Sequence, residues 1–543
     1  MIGKRARFAQ SGGKRKHACC HQPPNLLPLS SPIHPLPPME QERAQPAAKR
    51  ARLSPPPQPL AAGAGPEDRL SALDDATLHA ILARVPLRDA AATAALSRRW
   101  PPVFATLPRL VLGPATFNRR GFPDEDDEDR CEDPGRWMDA LRRVLDRRAA
   151  PVAALEIDSR FMRLHCNWFS KVFRDFFCNG GLLELSIANT DYTDTECCAL
   201  PFAVYACTAL TSLDLYNCWL RMPSKLTGLR ALRSLRLRNV IATDADLIRL
   251  IRRGSAMEHL EIHDVHKARS ITIHAPCLKK LDIYSYRPLC ISAKKAPPLD
   301  MVRLSLSYGL PEHSWSLHDT DDTGRQDADH EMEEVLDFKK MAEREHKHTD
   351  EIRNMMSFLC GLTSTKELRL HLSTEYCEVV SMSKAWKLKS LPMKSYLLGL
   401  NSLSLVLDHN HDVLSTLVSC LLNSSPNLKD LRITELRHPG SPVPLAAEFW
   451  EEQINAGGFL NHLSRVTYYI DSLFDGHRCG GICKFLVMNA RVLKKMSIEY
   501  HHSQARPEHA AMLEAARREV HLWPTASADV LVELTPVDQL PFF

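Results

Sequence analysis

The sequence lacks the features by which most enzymes are recognised. Only 22 of its 543 residues are glycine, and none of them forms the G-x-G-x-x-G turn or the lysine-containing loop that cradles a phosphate. No serine stands in the G-x-S-x-G turn of the hydrolases. We therefore expect no catalytic residues, no bound cofactor and no enzymatic activity.

Cysteine and histidine are present, but not at the spacing of a metal site. The run HACCH at 17–21 places its ligands too close together for a tetrahedral cage, and Cys479 and Cys483 have no second pair at zinc spacing. The 16 cysteines are spread along the chain without the framework of a small disulfide-rich domain. The sequence therefore predicts reduced thiols and no bound metal.

Long apolar segments are also missing. No run approaches the ~20 residues that cross a bilayer, and the N-terminus lacks the continuous apolar segment of a signal peptide. These absences predict a soluble protein of the nucleus or the cytoplasm, with no membrane partner.

The net charge of +4 is unevenly distributed along the chain. Residues 1–65 hold ten Lys and Arg against two Glu, so the rest of the chain carries about −4. A nucleic-acid groove would need a basic body, and we do not expect nucleic acid as a partner.

The first 65 residues are predicted to form a disordered basic tail. They contain 12 of the 37 prolines and almost no residues that could build a core. The run AAKRARLSPPP at 47–57 is either a solvated charge cluster or a nuclear import signal. Met39 is a second plausible start, and peptide mapping of the native N-terminus would decide whether residues 1–38 are present.

Residues 66–112 predict short helices. Leu73, Leu78, Ile81, Leu82 and Val85 have the spacing of one helix face, and Asp74 or Asp75 can cap its start. A second helix follows Pro86, and Pro101 with Pro102 predicts its end. So small a segment cannot bury a secure core alone, so it either packs on a neighbouring domain or binds a partner.

An acidic linker and helix is predicted over 113–150, and residues 151–440 repeat a leucine pattern. VAALEI (152), LLELSI (182), LTSLDL (210), LRSLRL (232), MEHLEI (257), LKKLDI (278) and LDMVRL (299) are followed by TKELRL (365), LNSLSL (400), LKDLRI (428), LSRVTY (463) and LKKMSI (493). This L-x-x-L-x-L register, at spacings of about 20–30 residues, is typical of leucine-rich repeats. A charged insertion at about 312–352 is predicted to project from the solenoid.

Each repeat predicts a short strand whose leucines point inward while their neighbours point to solvent. The outward positions mix both charge signs with aromatic residues, which favours protein recognition over nucleic-acid binding. They are Ser212, Asp214, Tyr216, Ser234, Arg236, Arg238, His259, Glu261, His263, Lys280, Asp282, Tyr284, Met301, Arg303, Ser305, Glu367, Arg369, His371, Asp430, Arg432 and Thr434. Among these, Tyr216, Arg236, Arg238 and Tyr284 are the predicted substrate-binding residues.

Two segments carry a family resemblance. The stretch EDRLSALDDATLHAILARVPLRDAAATAALSRRW resembles the F-box of plant F-box proteins, and residues 459–500, especially KFLVMNARVLKKMSI, resemble the FBD domain that ends many of them. The resemblance implies an F-box at 66–112, an FBD-like terminal repeat at 441–505 and a C-terminal extension at 506–543. The expected fold is α/β: a short helical F-box followed by an irregular leucine-rich-repeat solenoid, or horseshoe.

The resemblance also implies a function. Such a protein is the substrate receptor of an SCF-type E3 ubiquitin ligase. Its F-box docks on a Skp-family adaptor, which links it to a cullin. Its repeats bind the protein substrate. The residues that this resemblance assigns to the adaptor contact are Leu73, Leu78, Ile81, Leu82, Val85, Pro86, Leu87, Leu96, Ser97, Arg99 and Trp100. About half of them are expected at the interface, because some must pack within the F-box itself.

The start of the F-box departs from the family pattern. Family members usually read Leu-Pro-Asp-Glu/Asp-Leu-Leu, whereas Asp74 stands here in place of the proline and Thr77 in place of a leucine. Two alternatives therefore stay open: a stand-alone leucine-rich-repeat interaction module with a degenerate F-box, and a nucleic-acid binder that uses the basic tail.

Overall fold

The leucine pattern folds as parallel strands. A computed structural model describes residues 72–113, 142–158, 181–189, 198–286, 289–293, 299–307, 354–373, 376, 390–436, 444–455, 457–470, 481–502 and 507–538. Its strands are β1 Arg109–Leu112, β2 Ala154–Asp158, β3 Glu184–Ala188, β4 Cys198–Ala199, β5 Ser212–Tyr216, β6 Cys218–Trp219, β7 Ser234–Ile241, β8 His259–His266, β9 Ser270–Ile273, β10 Lys280–Ser285, β11 Cys290–Ala293, β12 Met301–Leu306, β13 Glu367–Leu372, β14 Ser402–Leu407, β15 Asp430–Glu435, β16 Arg465–Ile470, β17 Lys495–His501 and β18 Leu531–Val537.

Helices join many of these strands. The α-helices are α1 Asp75–Leu82, α2 Leu87–Ala92, α3 Trp100–Ala105, α4 Asp244–Arg253, α5 Asp412–Asn423, α6 Ala447–Gln453, α7 Gly481–Asn489 and α8 Ala510–His521. Short 3-10 helices occupy Thr93–Ala95, Phe202–Ala206, Met393–Ser395, Gly458–Asn461 and Pro507–His509.

One long parallel sheet runs through the chain in sequence order. It passes from β1 through β2, β3, β5, β7, β8, β10 and β12 to β18, while β4 and β6 lie beside this path and β9 pairs with β11 in a separate small sheet. Each of the twelve leucine segments contributes one strand to the long sheet. The predicted leucine-rich-repeat solenoid is confirmed in this region.

The register explains why the repeats must stack. Leu213, Leu235 and Leu260 are direct partners on β5, β7 and β8, and each is buried. Their neighbours one position away point to solvent, as the two-residue period of a strand requires. A single repeat could not cover its leucines, so burial depends on the adjacent repeats.

The N-terminal helices pack on the first strands rather than standing apart. Leu78, Leu82, Leu87 and Trp100 belong to the same buried cluster as the leucines of β1 and β2. The expectation that Pro101 and Pro102 end a helix was wrong, because both lie in the first turn of α3. Proline is accepted there since the first helical N–H groups have no partner within the helix.

The region that resembles an FBD domain folds as strand, helix and strand. β16, α7 and β17 follow one another, and α7 buries Ile482, Phe485 and Leu486. The sheet does not end there. Residues 506–543, predicted only as an extension, supply α8 and β18, and β18 pairs in parallel with β17.

Several sequence predictions fall on residues that the structure does not describe. They are the disordered tail at 1–65, the acidic run at 124–133 and the charged insertion at 312–352. The described residues all lie within one compact unit that begins at Asp68. Among them, no helix combines the length and the apolar character that a membrane crossing requires.

Candidate functional site

The outward side chains of the long sheet form a continuous polar surface, here called the solvent face. Along its middle row, Asp214, Arg236, Glu261, Asp282 and Arg303 are successive register partners on five strands. The sequence predicted each of them to point outward. Opposite charges therefore lie about 5 Å apart along the sheet, close enough to pair, except at the two adjacent acids Glu261 and Asp282.

Arginines of β7 are fixed by carboxylates on both neighbouring strands. Arg236 Nε lies 3.1 Å from Glu261, and its Nη1 lies 3.9 Å from Asp214. Arg238 Nη2 donates to both oxygens of Asp214, at 3.1 and 3.2 Å. The side chains of both arginines keep about half of their surface exposed, so they are oriented by these pairs and still open to a ligand.

A histidine lies close to the two adjacent acids. His263 Nε2 lies 3.8 Å from a Glu261 oxygen and 3.6 Å from an Asp282 oxygen, while Arg303 Nη1 donates to the other Asp282 oxygen at 3.0 Å. Acids and bases are thus matched along this part of the face, which gives it defined geometry but little net charge.

Aromatic rings line one side of these charges. The Arg238 guanidinium lies 5.8 Å from the centre of the Tyr216 ring, within cation–π range. The Tyr284 ring lies 5.8 Å from that of His263 and meets Tyr286 edge-on at 4.8 Å. Burial, followed by the hydrogen bond with Tyr286, raises the pKa of Tyr284.

The structure brings the four predicted substrate-binding residues onto one part of the solvent face. Tyr216 and Arg238 are direct register partners, Arg236 is on the same strand as Arg238, and Tyr284 is separated from them by His263 of β8. Tyrosine and arginine are the residue types that most often dominate protein interfaces. Their role in binding stays a prediction.

Two predicted outward residues are not available to a ligand. Ser305 is 3% exposed and Thr434 is at the limit of burial, although both stand in the outward row. Ser305 Oγ forms a 2.8 Å hydrogen bond with His371 Nδ1 on the adjacent strand, and burial lowers the pKa of His371. The larger imidazole covers the short side chain beside it.

The predicted adaptor-contact residues divide into three groups by their exposure. Leu78, Leu82, Leu87 and Trp100 are at most 5% exposed, so the chain's own core occupies their surface. Leu73, Pro86, Ser97 and Arg99 are partly buried.

Arg99 ties two parts of the helical segment together. Its Nη2 donates to the Leu73 carbonyl at 2.5 Å and lies 2.9 Å from an Asp75 oxygen, while its backbone N–H donates to Ser97 Oγ at 3.4 Å. These bonds hold the residues before α3 against the start of α1. In this structure Arg99 and Ser97 therefore position the segment.

Three predicted adaptor residues are exposed. Ile81 is 39% exposed, Val85 is 36% exposed and Leu96 is 67% exposed. Ile81 lies at the end of α1, Val85 lies in the turn between α1 and α2, and Leu96 follows the 3-10 turn after α2. We call Ile81, Val85 and Leu96 the apolar helix surface.

Sequence reasoning missed a depression on the solvent face near the C-terminal end. It is lined by Asp430, Arg432, Arg465, Val466, Thr467, Lys495, Ser497 and Glu499 of β15, β16 and β17. Only Asp430 and Arg432 had been singled out as outward residues. The leucine pattern of LSRVTY and LKKMSI does fix which positions of β16 and β17 point outward, so that signal was present.

A buried polar cluster was also missed. Asn410 Nδ2 donates to Glu435 at 2.9 Å, and its Oδ1 accepts from the Leu445 N–H at 3.2 Å. The nearby His409 ring lies 5.6 Å from Tyr468, edge-on. In the sequence, DHNHD resembles an exposed turn, and nothing local indicates that it is buried.

No three side chains of Cys, His, Asp or Glu gather as metal ligands in the part of the chain that the structure describes. The polar groups of the solvent face are instead arranged in pairs across strands. Such a surface is suited to non-covalent recognition of a partner.

Comparison with known proteins agrees with this architecture. Residues 170–318 match the family model for the LRR repeats of an FBD-associated F-box protein. An FBD-associated F-box protein of Arabidopsis thaliana is 27% identical over 69% of this chain and 81% of its own length. An F-box/FBD/LRR-repeat protein of the same plant is 24% identical over 80% of this chain and 91% of its own length. The meiotic F-box protein MOF of Oryza sativa subsp. japonica is 26% identical over 69% and 72%, respectively.

The solenoid sheet and these matches define a leucine-rich-repeat protein. More specifically, the chain is similar to plant F-box/LRR-repeat proteins with a C-terminal FBD domain, in agreement with its sequence motifs.

Proposed function

We propose that the protein is the substrate-recognition subunit of an SCF-type E3 ubiquitin ligase, acting in the nucleus or the cytoplasm. The segment 66–112 is its F-box and docks on a Skp-family adaptor, which links it to a cullin. The solvent face binds a target protein. The chain itself breaks no bond; it raises the effective concentration of the target near a ubiquitin-charged enzyme.

The apolar helix surface is the observation that supports adaptor docking. Ile81, Val85 and Leu96 are large apolar side chains left exposed in a helical segment that already buries Leu78, Leu82 and Trp100. Covering each one fully would contribute at most ~1.5–3 kcal/mol. In this proposal the contact consists of the three exposed residues and the partly buried Leu73 and Pro86, while the four buried residues support the segment from within.

The solvent face around Tyr216, Arg236, Arg238 and Tyr284 supports target binding. Its arginines are oriented by carboxylates, Tyr284 contacts the His263 and Tyr286 rings, and Tyr216 lies against the Arg238 guanidinium. The side chains therefore have less freedom to lose on binding. Much of the side-chain entropy of this surface is thus already lost when the chain folds.

The test is co-purification of the full chain with a Skp-family adaptor. Ile81→Asp and Leu96→Asp each place a charge on the apolar helix surface and should abolish binding. These positions are preferable to Leu82 or Trp100, whose substitution would disturb the core. Val492→Asp, at a residue 42% exposed near β17, is the matched control and should leave adaptor binding intact.

Failure of the wild-type chain to bind any Skp-family adaptor, with the protein shown to be folded, would contradict the proposal. The stand-alone leucine-rich-repeat interaction module would then be the better description. Loss of binding in Val492→Asp as well would show that the effect is not specific to the helical segment.

A further inference from the structure

The depression on β15, β16 and β17 has an unusual floor. At the centre of the outward surface, Arg432, Thr467 and Ser497 are register partners on three neighbouring strands. Two consecutive short hydroxyl side chains leave a notch between the longer residues around them. Neither hydroxyl has a hydrogen-bond partner among the residues that the structure describes.

Cationic groups surround this notch. Arg465 and Lys495 are register partners on the row below Thr467 and Ser497, and Arg432 stands beside Thr467. The side chains of Arg432 and Arg465 are 58% and 67% exposed, and that of Lys495 is 48% exposed. All three therefore present much of their surface to solvent around the same depression.

The arginines are only partly neutralised. One carboxylate, Asp430, serves both of them: Arg465 Nη2 lies 3.2 Å from one oxygen and Arg432 Nε lies 3.7 Å from the other. At 3.7 Å the second contact is longer than a hydrogen bond. A guanidinium has five N–H donors, so most donors of both side chains remain for a ligand.

Two acids oppose this character. Glu533 takes the Lys495 ammonium at 2.9 Å, and Glu499 lines the depression itself. Burial raises the pKa of Glu499, against the effect of Arg432 and Lys495. The Glu499 carboxyl group should repel an acidic ligand. Removing its charge should therefore increase the affinity of the site, whereas removing an arginine should decrease it.

We propose that this depression binds the carboxylate or phosphate oxygens of an acidic stretch of the bound protein. Arg432 and Arg465 supply charge-assisted hydrogen bonds, and the half-buried Thr467 hydroxyl group supplies a neutral donor. Ser497 is only 7% exposed and forms the floor of the notch. The site favours acidic segments because its cations are 48–67% exposed, whereas the Asp430 and Glu533 carboxylates that pair with them are only 15% and 34% exposed. This inference rests on the proposed use of the solvent face for target binding and deepens it.

Binding is measured on the purified full chain by fluorescence anisotropy with labelled decapeptides. One peptide is rich in Glu, a second carries phosphoserine, a third carries unmodified Ser and a fourth carries Lys. The wild-type protein should bind the Glu or the phosphoserine peptide and neither of the others, and binding should weaken with added salt. The stronger of the two acidic peptides identifies the source of the oxygens, and inorganic phosphate should compete.

Two variants of the site should change the peptide affinity in opposite directions. The double variant Arg432→Gln/Arg465→Gln should weaken binding about tenfold. Glu499→Gln should strengthen it about two- to fivefold, because a like charge has been removed. Arg233→Gln is the matched control: Arg233 has a 67% exposed side chain and lies just before β7, six strands from β15, so this variant should leave the affinity for both acidic peptides unchanged.

Equal binding of the Ser and acidic peptides, or weaker binding in Glu499→Gln, would overturn the proposal. So would the absence of binding to every peptide by a folded wild-type chain. Adaptor co-purification is measured on the same preparations. Loss of adaptor binding with peptide binding intact would contradict the ligase function and leave the anion site standing.

Discussion

The Thr77 hydroxyl donates a hydrogen bond to the Asp74 carboxylate at the start of α1. These are the two positions at which the chain departs from the usual F-box start. The Thr77 hydroxyl is also the first cause of the lowered pKa of Asp74, ahead of nearby backbone N–H groups. The two departures are therefore coupled: an aspartate with a local hydrogen-bond donor replaces a proline that would have pre-organised the helix start.

Position 77 has two separable effects: its hydroxyl group binds Asp74 at the start of α1, and it lacks the apolar side chain of the usual leucine. Thr77→Leu restores the apolar side chain at an exposed position and should raise adaptor affinity by about 1–2 kcal/mol, or about five- to thirtyfold. Titration of the full chain with the adaptor measures it. Thr77→Ala breaks the same hydrogen bond without adding apolar surface, so a similar gain in that variant would show that the hydrogen bond, and not the missing leucine, limits binding.

The close approach of Gly228 to the preceding repeat should make it intolerant of a side chain. A Cβ atom there would lie 2.4 Å from the Cys207 carbonyl oxygen, whereas a Cβ on Gly113 would meet nothing within 4 Å. Gly228→Ala should therefore lower the free energy of unfolding by about 1–3 kcal/mol, since backbone must move to admit the methyl group. Denaturant unfolding tests this, with Gly113→Ala as the control that should change little.

The half-buried His371 should make stability depend on pH. Burial lowers its pKa below the ordinary 6.5, so the unfolded chain takes up this proton first. Its contribution to stability is complete above about pH 6.5, and it is lost as the pH falls toward the lower pKa of the folded state. Between pH 7.5 and 5, the wild-type protein should lose more stability than His371→Gln.

The comparison between pH 7.5 and pH 9 is the control, since His371 is neutral throughout that range in both states. Thermal unfolding at the three pH values provides the measurement. An identical slope for wild type and variant between pH 7.5 and 5 would show that His371 titrates alike in the folded and unfolded chain.

The periodic part of the fold could be predicted from the sequence, and the non-periodic part could not. The recurring L-x-x-L-x-L register places every repeat strand, because each repeat obeys the same burial requirement. β1 and β18 were not predicted because their apolar patterns are short and isolated. The exposure of Leu96 and the burial of Trp100 depend on how α1 to α3 pack on the sheet, which no local pattern encodes.

The same division holds for the candidate sites. Tyr216, Arg238 and Tyr284 could be placed together because register alone brings equivalent repeat positions into one row. The depression required a different kind of information: short side chains at Thr467 and Ser497 beside long ones. Likewise, the burial of Asn410 depends on Glu435 and Leu445, which are 25 and 35 residues away.

The last strand of the sheet should resist the addition of another strand because of one proline. The Leu531 N–H donates to the Lys494 carbonyl of the β17 side, so odd-numbered residues of β18 face β17 and even-numbered ones face the free edge. Pro536 therefore stands where an N–H would point outward, leaving only Val532 and Leu534 as outward donors within the strand. Proline at such a position blocks edge-to-edge pairing.

Pro536→Val should consequently promote self-association, because it completes the row of outward donors and adds a residue that favours strands. Sedimentation analysis of the full chain should show a mass that rises with protein concentration, while the wild-type mass stays constant. Thr535→Val is the matched control, since it raises strand propensity at a residue whose N–H already faces β17. Association of both variants would assign the effect to apolar surface, and association of neither would show that the edge is protected by something other than the proline.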